Sequence, residues 1–174
     1  GEVGYGRYGN ATWAALEETM GALEGGRCLT YASGMAAVHA LLDLVAVGET
    51  VVVARHTYNG VTTALADLEA RGRLRRVLVD ATNVAEWREA SQDAAVVWLE
   101  SPTNPALEIV DLPMVIAAAH EAGARVVVDN TFATPLLQQP LALGADVVVH
   151  SATKYLAGHS DVLMGAVATA DEEL

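Results

Sequence analysis

At 174 residues, 52% apolar and only 5% aromatic, the chain is long enough to bury a core and too apolar to be a disordered segment. Its formal charge of −12 excludes the basic surface that nucleic acid or an anionic membrane would require. Neither a signal peptide nor a bilayer-spanning apolar stretch is expected, which points to a cytoplasmic protein.

Taken in chain order, residues 1–12 precede the first regular pattern. Trp13, Leu16, Met20 and Leu23 then recur every three or four positions, a helix stopped by Gly25-Gly26. A weak strand, 27–32, holds the single cysteine, Cys28, which is expected to be core. Ser33-Gly34-Met35 leads into a helix over 35–45, followed by a strand over 50–54, Tyr58, and a helix over 61–70. Val-rich strands are predicted over 76–79 and 94–99. A helix over 112–122 carries Asp111 as N-cap and Pro113 in its first turn. Strands over 124–128, 145–149 and 163–169 complete the chain.

These strands are continuous apolar runs, not alternating ones, as strands buried on both faces require. Their alternation with helices predicts an α/β fold, a three-layer α/β/α domain around a mostly parallel central sheet. The chain opens on Gly1 and stops just past an apolar segment, so it is expected to be part of a longer polypeptide.

Three polar clusters follow three of the predicted strands: Glu100-Ser101-Pro102-Thr103-Asn104-Pro105, Asp129-Asn130-Thr131 and Ser151-Ala152-Thr153-Lys154. Ligands of open α/β sheets bind outside the carboxyl ends of the strands, so the three clusters should share one edge. Lys154 is the only lysine; the other nine basic residues are arginines. Guanidinium stays charged and cannot replace an amine that must lose its proton and attack a carbonyl. A lone lysine at a strand end therefore suggests Schiff-base chemistry, above all with pyridoxal phosphate.

The remaining needs of that cofactor have candidates. Asp129 suits the pyridinium nitrogen, although Asp after a strand is commonly a turn residue. The backbone of Ser33-Gly34-Met35, at a strand-to-helix junction, suits an anion, and the hydroxyls of Ser151 and Thr153 add donors. Tyr58 is placed to stack on a ring, although a loop tyrosine more often only packs.

Together these residues resemble the family of cystathionine γ-synthase, cystathionine γ-lyase and methionine γ-lyase, fold-type I pyridoxal phosphate enzymes. The likeness runs through Tyr5-Gly6-Arg7-Tyr8-Gly9-Asn10, Leu23-Glu24-Gly25-Gly26, Ser33-Gly34-Met35-Ala36-Ala37, Glu100 to Pro105, Val128-Asp129-Asn130-Thr131-Phe132, Gly144 to Tyr155, and Gly158-His159-Ser160-Asp161. The resemblance implies that Lys154 carries the cofactor and shuttles protons between substrate carbons. It implies that Asp129 pairs with the ring nitrogen and Asn104 contacts the phenolic oxygen. Tyr58 would stack on the ring and assist acid–base steps at the γ-substituent, while Gly34, Met35, Ser151 and Thr153 hold the phosphate beside Ser33.

Tyr5 and Arg7 would reach the phosphate of a neighbouring subunit in a homotetramer built of dimers. Residues 1–12 would thus be a segment contacting a neighbour, and residues 13–174 an incomplete cofactor-binding large domain without its C-terminal small domain. The implied reaction is γ-elimination on cystathionine or a related sulfur-containing amino acid, giving thiol, 2-oxoacid and ammonia. The alternatives are γ-synthase-type replacement, a methionine γ-lyase, or a non-catalytic fragment that only folds or oligomerises.

Departures from the family pattern are Ala11 for Pro, Asn59 for Gly, Gly60 where methionine γ-lyases often carry Cys, and Thr63 where many members carry Arg. Gly4-Tyr5-Gly6-Arg7-Tyr8-Gly9 matches a dinucleotide fingerprint, but no strand precedes it, so it is rejected. The five histidines lack zinc-ligand spacing, and no metal is expected.

Overall fold

The computed structural model describes Tyr5, Gly6 and residues 8–171. Helix α1 (Ala11–Glu24) is capped by Asn10, whose side chain accepts from Thr12 N, and ends at Gly25 in the left-handed region. There follow β1 (Arg27–Tyr31), α2 (Gly34–Asp43), β2 (Thr50–Ala54), α3 (Asn59–Ala70), β3 (Arg75–Val79) and α4 (Val84–Ser91). The chain continues with β4 (Val96–Glu100), α5 (Leu112–Glu121), β5 (Arg125–Asp129), the short α6 (Thr134–Leu137), a 3₁₀ turn (Pro140–Leu143), β6 (Val147–His150) and β7 (Gly165–Thr169).

The strands form one sheet in the order β1-β7-β6-β5-β4-β2-β3, parallel from β3 to β6. Strand β7 runs antiparallel to both β6 and β1. Two reversals restore the direction, so the carboxyl end of β1 lies on the same edge as those of β2, β4, β5 and β6. That edge therefore gathers the start of α2 with the loops after the parallel strands.

Alternate strand residues face opposite layers. Val51, Val53, Trp98, Val127 and Val149 pack against α2 and α3. Val52, Val97, Leu99, Val126 and Val128 pack against α4 and α5, and Val148 joins Met20 of α1 on that same side. The result is the three-layer arrangement expected from the alternation of strands and helices.

Two expectations needed amending. Burial on both faces holds for β2, β4, β5, β6 and β7, but β3 at the sheet edge leaves Val77 and Leu78 partly exposed, and the other edge strand, β1, exposes Leu29. Helix α4 is also an addition, because its sequence is mostly polar and offers one large anchor, the fully buried Trp87. Among the described residues, no helix is long and apolar enough to cross a membrane.

Candidate functional site

A pocket of about 230 Å³ opens at the carboxyl edge of the sheet. It is lined by Ser33, Gly34 and Met35 from the start of α2, Tyr58 from the start of α3, Asn104 after β4, Asp129 of β5, and Ser151, Thr153 and Lys154 after β6. The structure thus brings together every expected site residue of those loops. Tyr5 packs edge-on against Tyr8 and does not line this pocket. Arg7 lies outside the described residues.

Each position has a local cause. Ser33 caps α2, its hydroxyl oxygen accepting from Ala36 N at 3.1 Å. The N–H groups of Gly34 and Met35 are among those a helix cannot satisfy itself, and both residues line the pocket. A Cβ on Gly34 would stand 2.9 Å from Ser151 Cβ and 3.0 Å from its Oγ, so only glycine lets that hydroxyl approach the helix start. Thr153 Oγ1 donates to Met164 O and accepts from Met164 N, which pins the Lys154 loop to the strand that follows it.

Tyr58 stands just before α3 with its ring over Gly60, where an added Cβ would lie 2.5 Å from the ring and 2.8 Å from Met35 Sδ. Asn104 is set by the stapled loop around it: Val110 N donates to Ser101 Oγ, and Glu108 N to Thr103 Oγ1.

Asp129 is buried and accepts from Thr131 N at 3.0 Å. Burial raises its pKa above the usual carboxylate value; the Thr131 hydrogen bonds and the nearby His150 pull the other way. Lys154 is exposed at the pocket mouth, next to a second, more open groove that also takes in Tyr155 and Asp161.

Three lining residues carry roles that the sequence did not disclose. Thr131 accepts from Ser151 N and so links the β5 and β6 loops. Phe132 adds apolar wall and packs edge-on against Tyr155. Glu100 is buried, and Tyr58 N donates to it at 2.7 Å. Behind the pocket, Glu24 of α1 pairs with His150, and Asn130 Nδ2 donates to the same carboxylate at 2.9 Å. Their motifs were noticed in the sequence, but their partnership joins residues more than a hundred positions apart.

This donor set fits pyridoxal phosphate. The cradle at Gly34 is one that any side chain would fill, and a buried acidic residue, Asp129, shares the pocket with the chain's one lysine, Lys154.

The comparisons with known proteins agree with that chemistry. The family model described as Cys/Met metabolism PLP-dependent enzyme matches residues 1–174. Cystathionine beta-lyase of Lactococcus lactis subsp. cremoris is 42% identical over 175 residues, covering 99% of this chain and 46% of that protein. The crystal structure of cystathione gamma lyase (CalE6) from Micromonospora echinospora superposes with a TM-score of 0.91 at 48% identity, covering 97% of this chain and 45% of that one. Cystathionine gamma synthase from Xanthomonas oryzae pv. oryzae, in complex with cystathionine, gives a TM-score of 0.94 at 40% identity, with 99% and 46% covered. The chain spans less than half the length of the relatives it matches.

Proposed function

The chain belongs to the family of Cys/Met metabolism PLP-dependent enzymes, and from that membership we propose that it is the cofactor-binding part of a cytoplasmic carbon–sulfur lyase. The reaction is γ-elimination on cystathionine or a related sulfur-containing amino acid, giving thiol, 2-oxoacid and ammonia. One observation carries this reading: a single pocket lined by Lys154, Asp129, Asn104, Tyr58 and the start of α2.

When bound, pyridoxal phosphate supplies an electron sink that stabilises negative charge on the carbon bearing the substrate amine. Lys154 would be the attachment point, and its amine would move the proton at the substrate's α-carbon. Asp129 would hold a positive charge at the ring nitrogen, and Asn104 would donate to the phenolic oxygen. Tyr58 would stack on the ring and serve the acid–base steps at the γ-substituent. The amides of Gly34 and Met35 would bind the phosphate with the hydroxyl of Ser151, on the helix start that Ser33 caps, while Thr153, whose proton goes to Met164 O, would hold the lysine loop in place.

Tyr5 and Arg7 complete a neighbouring subunit's phosphate site in a homotetramer of dimers, with residues 1–12 as the contacting segment and residues 13–174 as the cofactor domain. Leu136 and Leu137, 89% and 80% exposed, supply apolar surface of the kind that such assembly covers. The 48% identity to a structure described as a γ-lyase supports elimination at the γ-carbon. The TM-score of 0.94 to a γ-synthase supports γ-replacement by a thiol as the second reading.

Product analysis of the full-length protein with cystathionine tests the choice. Cysteine with 2-oxobutanoate and ammonia is the expected outcome, whereas homocysteine with pyruvate would mean cleavage at the β-carbon. Lys154→Ala should lower turnover by about a thousandfold or more, and near-normal turnover would refute the assigned role.

A further inference from the structure

Glu100 closes β4, directly across from Asp129 in the sheet register. It is 4% exposed and lines the pocket. The backbone N–H of Tyr58, at the start of α3, donates to Oε2 at 2.7 Å, and the loop that carries Asn104 leaves β4 at Glu100 itself. One side chain therefore holds the Tyr58 loop to the strand end from which the Asn104 loop departs. We propose that Glu100 is a positioning residue for the cofactor: its carboxyl ties the Tyr58 loop to the base of the Asn104 loop and sits beside Asp129 in the pocket wall. This rests on the cofactor reading of the pocket.

Two carboxyls on neighbouring strand ends cannot both ionise cheaply in a buried wall, and they titrate as a pair. Burial first, and then the neighbouring Asp129, push the Glu100 pKa up to about 8, against the pull of the Tyr58 N–H. The other titratable groups facing the site are Tyr58 and Lys154, and His150 acts on Asp129 from the end of β6. At neutral pH the pair accordingly retains a proton that isolated carboxyls would have lost.

The sign of the pH effect follows. An unfolded Glu ionises near its ordinary value of 4.5, while the folded one does so near 8, so the folded state holds the extra proton between these values. Glu100 thus makes the cofactor-free protein lose stability as pH rises through that window.

The test compares full-length wild-type protein with Glu100→Gln, which cannot ionise, and Glu100→Ala, which removes the clamp. Pyridoxal phosphate affinity at about pH 7 should stay within about threefold for Glu100→Gln and weaken by about tenfold or more for Glu100→Ala. The urea midpoint of the cofactor-free protein should fall from about pH 5 to about pH 8 in wild type and flatten in Glu100→Gln.

The inference is overturned if Glu100→Ala binds like wild type, or if Glu100→Gln tracks the wild-type pH profile. Should Glu100→Ala fail to fold, the Glu100→Gln profile still decides. Absence of binding by wild type would instead sink the cofactor reading and this inference with it.

Discussion

Gly34 shows how one missing side chain shapes the site. Its Cα lies against Ser151, so that the amides opening α2 and the Ser151 hydroxyl converge on one point. A methyl group there would have to displace Ser151, whose own N–H is held by Thr131 Oγ1 at 2.9 Å. Gly34→Ala in the full-length protein should therefore weaken pyridoxal phosphate binding by about tenfold or more, measured by equilibrium dialysis. Binding of pyridoxal, which lacks the phosphate, should change far less; equal losses for both would mean that the cradle is not the phosphate site. The Ser-Gly pair was visible in the sequence as an anion motif. What could not be seen was that the Ser33 oxygen caps the helix and that Thr153 gives its only proton to Met164, because both bonds depend on backbone positions that only the folded chain defines.

At the scale of elements, the strands were legible because runs such as Val51-Val52-Val53 and Val126-Val127-Val128 have no stable place except a sheet covered on both faces. Helix α4 was not, since apolar periodicity is the main helical signal and α4 has little of it. Its start nonetheless carried a sign. Asn83 accepts from Ala85 N and Glu86 N, and Glu86 three positions on returns a bond to the Asn83 side chain, a capping-box spacing. The same Glu86 accepts from Asp80 N and pairs with Arg55, fastening α4 to the ends of β2 and β3. Asn83→Ala should cost about 1 kcal/mol in a urea titration of the full-length protein. No measurable loss would show that the cap adds nothing beyond the burial of Trp87.

At the scale of the molecule, α1 is joined to the carboxyl ends of the central strands β5 and β6 by a buried polar cluster. The carboxylate of Glu24 meets His150 at the end of β6 and Asn130 after β5, and Gln138 bridges from Asn130 to Ser101. This network sits directly behind the loops that carry Asp129 and Lys154, so it couples the placement of those loops to the docking of α1. Glu24→Ala leaves His150 and Asn130 without that partner in a dry interior and should cost about 3–5 kcal/mol by chemical denaturation. A loss below about 1 kcal/mol would mean that water or a neighbouring group replaces the carboxylate. The meeting of three polar clusters at one edge could be foreseen, because parallel strands put their carboxyl ends side by side. The clamp at Glu100 could not, because its partner is a backbone amide 42 positions away.

The most direct measurement is borohydride reduction of the full-length protein loaded with pyridoxal phosphate, followed by proteolysis and mass analysis. A single reduced cofactor adduct on the peptide containing Lys154 is the predicted result. No adduct, or an adduct on another lysine of the full-length chain, would contradict the assignment of this pocket.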